Sequence, residues 1–98
     1  MDTQAFNPTG GNVAVAASTT TASGVLPGAI GNQIRIHNAA TGIAFCRWTI
    51  GASSAVATDN FVSPGGTEIF SINPTVDTFS VILSAGTGDV YAQKGFGL

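Results

Sequence analysis

The chain has 98 residues, 44% hydrophobic and only 8% charged, which suits one domain and falls well below the usual charged share of about a quarter. Three cations, Arg35, Arg47 and Lys94, stand against five acids for a net charge of −2, too few to neutralise a run of phosphates, so nucleic acid is not an expected partner. One Lys and one Glu cannot furnish long surface helices, the 13 glycines follow no triplet period, the apolar runs are too short to span a bilayer, and a single Cys allows no internal disulfide.

In chain order, residues 1–11 read as an N-terminal arm without periodicity, with Phe6 as its one large apolar residue. The start Met1-Asp2-Thr3-Gln4-Ala5 has neither the basic head nor the apolar run of a signal peptide. Short apolar stretches bounded by turn formers then predict strands near 12–17, 20–26, 32–38, 43–50, 54–58, 66–73, 78–84 and 88–93. Pro27-Gly28, Gly51, Pro64-Gly65-Gly66, Asn73-Pro74 and Gly86 to Gly88 punctuate them, because Gly supplies positive φ, Pro fixes φ and Asn bonds its own backbone. About eight short strands predict an all-β fold, a compact antiparallel β-sandwich of jelly-roll or similar Greek-key topology over 12–94, with 95–98 as a short tail.

Two hairpins are expected. The first pairs 32–38 with 43–50 across Ala39-Ala40-Thr41-Gly42. The period-2 rule places Ile34, Ile36, Ala44, Cys46, Asn32 and Trp48 on one, core-facing side. Arg35, His37, Ile43, Phe45, Arg47 and Gln33 fall on the other, where Arg35 can stack on Phe45 and the two arginines can meet carboxylates of a neighbouring subunit. The second pairs 66–73 with 78–84 across Pro74 to Asp77, and is apolar on both faces, so it requires cover from both sides. Phe6, Phe96 and Leu98 in the chain ends are either frayed or anchors onto an adjacent chain. Glu68 is the one acid set within a strand. The candidate subunit interface is therefore Phe6, Arg35, Phe45, Arg47, Glu68, Phe96 and Leu98.

Catalysis finds no constellation. The single His37 and single Cys46 fall on opposite sides of their strands, which separates a Cys–His nucleophile pair, and no serine sits in a Gly-x-Ser-x-Gly elbow. Asp59, Asp77 and Asp89 lie in or beside predicted turns. No Cys/His spacing suits zinc, and Gly86-Thr87-Gly88 lacks the lysine of a phosphate loop. No cofactor, metal or enzymatic activity is expected.

The succession Phe6-Asn7-Pro8, Gly31-Asn32-Gln33-Ile34-Arg35-Ile36-His37-Asn38, Ala44-Phe45-Cys46-Arg47, Pro64-Gly65-Gly66-Thr67-Glu68-Ile69-Phe70 and Gly88-Asp89-Val90-Tyr91 resembles small structural proteins of tailed bacteriophages. The resemblance implies a β-sandwich of the virion, assembled in the bacterial host cytoplasm. The expected role is a capsid decoration or cement protein, a homo-oligomer such as a trimer bound to the major capsid protein. A neck, collar or tail component is the alternative within the virion. A carbohydrate- or receptor-binding module is the alternative outside it, for which Trp48 and Tyr91 are the aromatic candidates.

Overall fold

A computed structural model describes residues 7–8, 11–26 and 31–96. They form nine strands and no helix: β1 (Asn7–Pro8), β2 (Val13–Ala17), β3 (Ala22–Val25), β4 (Gln33–Asn38), β5 (Ala44–Thr49), β6 (Asn60–Val62), β7 (Thr67–Ser71), β8 (Thr78–Leu83) and β9 (Gly88–Phe96). All pairings are antiparallel. Sheet I runs β2–β9–β4–β7, with β1 alongside the end of β9, and sheet II runs β3–β8–β5–β6.

The pairings are nested. β2 pairs with β9, β3 with β8, β4 with β7 and β5 with β6. The chain is thus one long folded-over ribbon, rolled so that successive pairs alternate between two sheets. The lateral pairs β4–β9 and β5–β8 close the roll. This is the jelly roll among the Greek-key forms.

Both expected hairpins are absent. β4 lies in sheet I and β5 in sheet II, and β7 and β8 are likewise divided. The short loops after β4 and β7 are arches that carry the chain from one sheet to the other. Each strand nonetheless directs one parity into the shared core, as expected for Ile34, Ile36, Ala44 and Cys46 but not for Asn32, which lies just ahead of β4 and is exposed. Ile34 and Ile36 point in from sheet I, Ala44 and Cys46 from sheet II, and all four are fully buried. Trp48 joins them at the margin, half-buried and packed on Phe70 with ring centroids 4.9 Å apart. On β8 the core side is Phe79, Val81 and Leu83; Ile69 of β7, which shares their parity in the sequence, faces outward from the other sheet.

The predicted strand at 54–58 is a connection instead. It crosses the outer face of sheet II, and the strand forms later, at β6. Ala55 N–H donates to Thr21 Oγ1 (3.0 Å) and Ser53 Oγ meets Ser80 Oγ (2.7 Å). Its apolar spacing reflects packing on a sheet rather than pairing within one. β9 also runs three residues further than the 88–93 predicted and pairs with β1, so the sheet continues through 95–96, where the sequence predicts a short tail.

Two polar side chains hold the arches. Asn38 is fully buried; its Nδ2 donates to Gly42 O and Val62 O and its Oδ1 accepts from Ala40 N–H, all at 2.9 Å. It thereby ties the β4 arch to β6. Lys94 is 3% exposed and its Nζ donates to Pro74 O (3.0 Å) and Val76 O (2.7 Å), capping the arch between β7 and β8 from inside. Buried carbonyls without partners are costly, and these two side chains remove that cost. Glycine is required at two close approaches. A Cβ on Gly24 would stand 2.8 Å from Val13 Cγ2, where β3 crosses β2. Gly88 has φ +150° and leaves no room for a Cβ against Ala40.

Candidate functional site: two outer faces

The roll separates the residues that the first expected hairpin would have joined. Arg35 and His37 stand on the outer face of sheet I, and Phe45 and Arg47 on the outer face of sheet II. Arg35 therefore does not stack on Phe45. Its Nη2 donates to Gln93 Oε1 across β4 and β9 at 2.6 Å.

On sheet II, register builds two cross-strand rows. In the first, Ser23, Ser80 and Arg47 lie side by side on β3, β8 and β5. The 50–59 connection covers the middle of this row, where Ser80 is fully buried, and leaves Ser23 exposed. Arg47 reaches Asp59 within the chain, Nε to Oδ2 at 3.1 Å. Asp59 also accepts from the Val56 N–H through Oδ2 (2.8 Å), which makes it the clasp of the connection. Gly51 N–H donates to Asp77 Oδ1 (2.9 Å) at the other end, and this bond, with one from the Thr78 hydroxyl, holds the Asp77 carboxyl below its ordinary value of 3.8.

In the second row, Ile82, Phe45 and Phe61 lie across β8, β5 and β6, with Ile43 next on the same side of the chain. No described segment covers this row. Phe61 is 63% exposed and Ile43 39%; Phe45 and Ile82 are half-buried. A contiguous apolar row on a strand's outer face is the kind of surface that soluble chains keep for a partner. Sequence reasoning singled out Phe45 but missed Phe61 and Ile82, because their adjacency depends on non-local pairing.

Sheet I carries a different face. Thr67, His37 and Tyr91 form one row across β7, β4 and β9, and Ile69, Arg35 and Gln93 the next. His37 Nδ1 and Thr67 Oγ1 are 2.8 Å apart. The His37 and Tyr91 rings stack with centroids 6.4 Å apart and planes 30° from parallel. Ala14 and Ala16 on β2 are exposed and small. Between these elements lies an open depression of about 410 Å³ lined by Asn12, Arg35, His37, Thr67 and Tyr91.

The remaining candidates scatter. Glu68 stands exposed on β7, the outermost strand of sheet I. Phe96 ends β9, 38% exposed and opposite Asn7. Phe6 and Leu98 lie outside the described residues. His37 and Cys46 are far apart in role: His37 is on the surface of sheet I, whereas Cys46 faces the core from sheet II with none of its surface exposed. Burial, with the Asp59 charge adding to it, pushes the Cys46 thiol up to about 12. Among the described residues no group of three His, Cys, Asp or Glu side chains could hold a metal ion.

No family model matches the chain, and no curated protein matches it. Two solved structures resemble it. One is from the Bacillus endospore appendages described as a novel family of disulfide-linked pili, at 14% identity and TM-score 0.50, covering 97% of this chain and 92% of that one. The other is PirA, at 17% identity and TM-score 0.44, covering 96% and 94%. At these identities the likeness is one of fold.

Proposed function

We propose that this chain is a non-enzymatic structural subunit that binds an assembled protein shell, the decoration role implied by its resemblance to tailed-phage proteins. It docks through the outer face of sheet II. The observation that carries this reading is the uncovered row Ile82–Phe45–Phe61. It presents aromatic area at low entropic cost on a chain with too little charge to repel a close neighbour. Many copies bound to one shell favour the assembled state over free subunits by mass action and reinforce each other through multivalency.

The test is the amount of this chain in purified particles relative to the major shell protein, with Phe61→Ser as the variant. A copy number comparable to the shell subunits, lost in the variant, supports decoration. A single ring of copies moves the role to the neck or tail, and absence from particles overturns the reading.

A second reading is suggested by the appendage neighbour, in which copies of the chain assemble with one another. Such an assembly would be non-covalent here, because the single Cys46 is buried with its thiol protonated. A thiol reagent should leave Cys46 unmodified in the folded protein and label it on denaturation, and assemblies should survive reduction unchanged. Assemblies that fall apart under reductant would overturn the non-covalent reading.

A further inference from the structure

We propose that two copies of this chain join edge to edge through β6, antiparallel about a two-fold axis at Phe61, so that two four-stranded sheets become one of eight strands. The contact shares the row Ile82–Phe45–Phe61 with the shell contact. It uses the edge of sheet II rather than its face, so it goes beyond that reading and does not rest on it.

The backbone supplies the first argument. β6 is the last strand of sheet II. Ser84 N–H donates to Ile43 O at 2.9 Å, whereas Leu83 N–H turns away to Ser18 O at 2.8 Å. Hydrogen-bonded pairs alternate along an antiparallel ladder, so the next such pair between β8 and β5 is Ile82 with Phe45. Phe45 therefore directs its N–H and C=O to β8. Ala44 and Cys46 direct theirs to β6, toward Val62 and Asn60. Phe61, between those two, points its N–H and C=O off the sheet, and among the described residues neither has a backbone partner. A residue with both groups directed off an edge fits a copy of itself. Across a two-fold axis each Phe61 N–H donates to the other Phe61 C=O, the reciprocal pair of an antiparallel ladder.

The side chains agree with that register. Phe61, 63% exposed, lies beside the partner's Phe61 as a favourable cross-strand aromatic pair. The two rows join into one apolar line across the combined sheet. Asn60 falls opposite the partner's Val62, and Asp59 opposite the partner's Ser63, so no like charges meet. Asp59 is also paired with Arg47 in its own chain. The outer edge at β7 is guarded instead. Glu68 shares the parity of Phe70 and pairs in register with the buried Ile36, and a charge set on the inward side of an edge strand deters addition of another. Because the β6 contact uses the same patch on both copies, it closes as a dimer and does not propagate.

The test is sedimentation equilibrium of the free chain, with no particle present, together with amide exchange at Phe61. The mass should rise with concentration from one chain to two, and exchange of the Phe61 N–H should slow as the dimer forms. Ser63 is exposed and opens a turn closed by the Gly66 N–H, a position where Asp is well tolerated. Ser63→Asp sets an acid opposite Asp59 twice and should weaken the dimer about tenfold. Ser63→Lys should hold it as tightly as the parent chain or more so. A chain that stays monomeric at about 1 mM would overturn the edge contact. So would a dimer indifferent to both charges, or one that leaves Phe61 exchange unchanged, as rows stacked face to face would. Particles take no part in this measurement, so its failure leaves the shell contact standing, and absence of the chain from particles leaves the dimer standing.

Discussion

The two outer faces of this sandwich are built on the same core yet differ in how they are finished. Sheet II is half closed by its own chain, where the 50–59 connection lies over Ser80 and Arg47 and is clasped by Asp59, and the apolar half beside it is open. Sheet I has polar rows, hydrogen-bonded within themselves, around a shallow depression. A face that satisfies its polar groups internally can stay in water. A face left with phenylalanine in water has a reason to be covered.

The largest expected effect falls on both faces together. Phe79→Ala empties a fully buried core position shared by the sheets, and should cost about 3–5 kcal/mol. Thermal unfolding should stay a single transition, with probes on either face lost at the same temperature. Two separate transitions would mean that the sheets do not share one core. Asn38→Ala should rank next, at about 2–3 kcal/mol, because it strands two buried carbonyls and one N–H at once. Denaturant unfolding measures it, and a loss below that of an ordinary surface change would show that the arch does not depend on this amide.

The next substitution should divide the faces. Asp59→Ala removes both the Arg47 ion pair and the Val56 bond, at about 1 kcal/mol for a partly exposed clasp. Amide exchange should rise across 50–59 and stay unchanged at His37 and Tyr91. A uniform rise would mean that the connection is part of the global fold rather than a local cover.

The smallest effect is a pH dependence confined to sheet II. Asp77 has its folded pKa lowered below 3.8 by the Gly51 N–H, so its contribution is present above that value and is lost as pH falls through the folded pKa. Acidification below pH 3.8 should therefore loosen the start of the connection at Gly51 before it affects sheet I. Exchange at Gly51 that does not change down to pH 2 would show that the bond does not hold the loop.

Much of this fold could be read from the chain. Alternation in Gln33–Asn38 and Ala44–Thr49 correctly assigned the inward residues of β4 and β5, because period-2 patterning depends only on the strand having a wet and a dry side. The separation of His37 from Cys46 followed from the same rule. The pairing did not follow. A four-residue loop between two amphipathic strands reads alike whether it closes a hairpin or arches between sheets, since both arrangements bury the same side chains. The arch carries no two-residue Asn-Gly or Asp-Gly turn that would mark a tight hairpin. Apolar spacing likewise misplaced a strand at 54–58, where Ala55 is buried against a sheet face rather than within a sheet.

Composition and patterning by themselves determined an all-β, charge-poor module, its inward residues and its lack of an evident Cys–His pair, because these depend on local chemistry and on one strand at a time. Tertiary structure alone decided which strands are neighbours. It sent Arg35 and Phe45 to opposite faces, gave Arg47 to Asp59, gathered Asn12, Arg35, His37, Thr67 and Tyr91 around one depression, and aligned Ile82, Phe45 and Phe61 in one row. The physical reason is that nested pairing in a jelly roll joins residues far apart in the chain, and the energy that selects it comes from closing one core with both sheets rather than from any single turn.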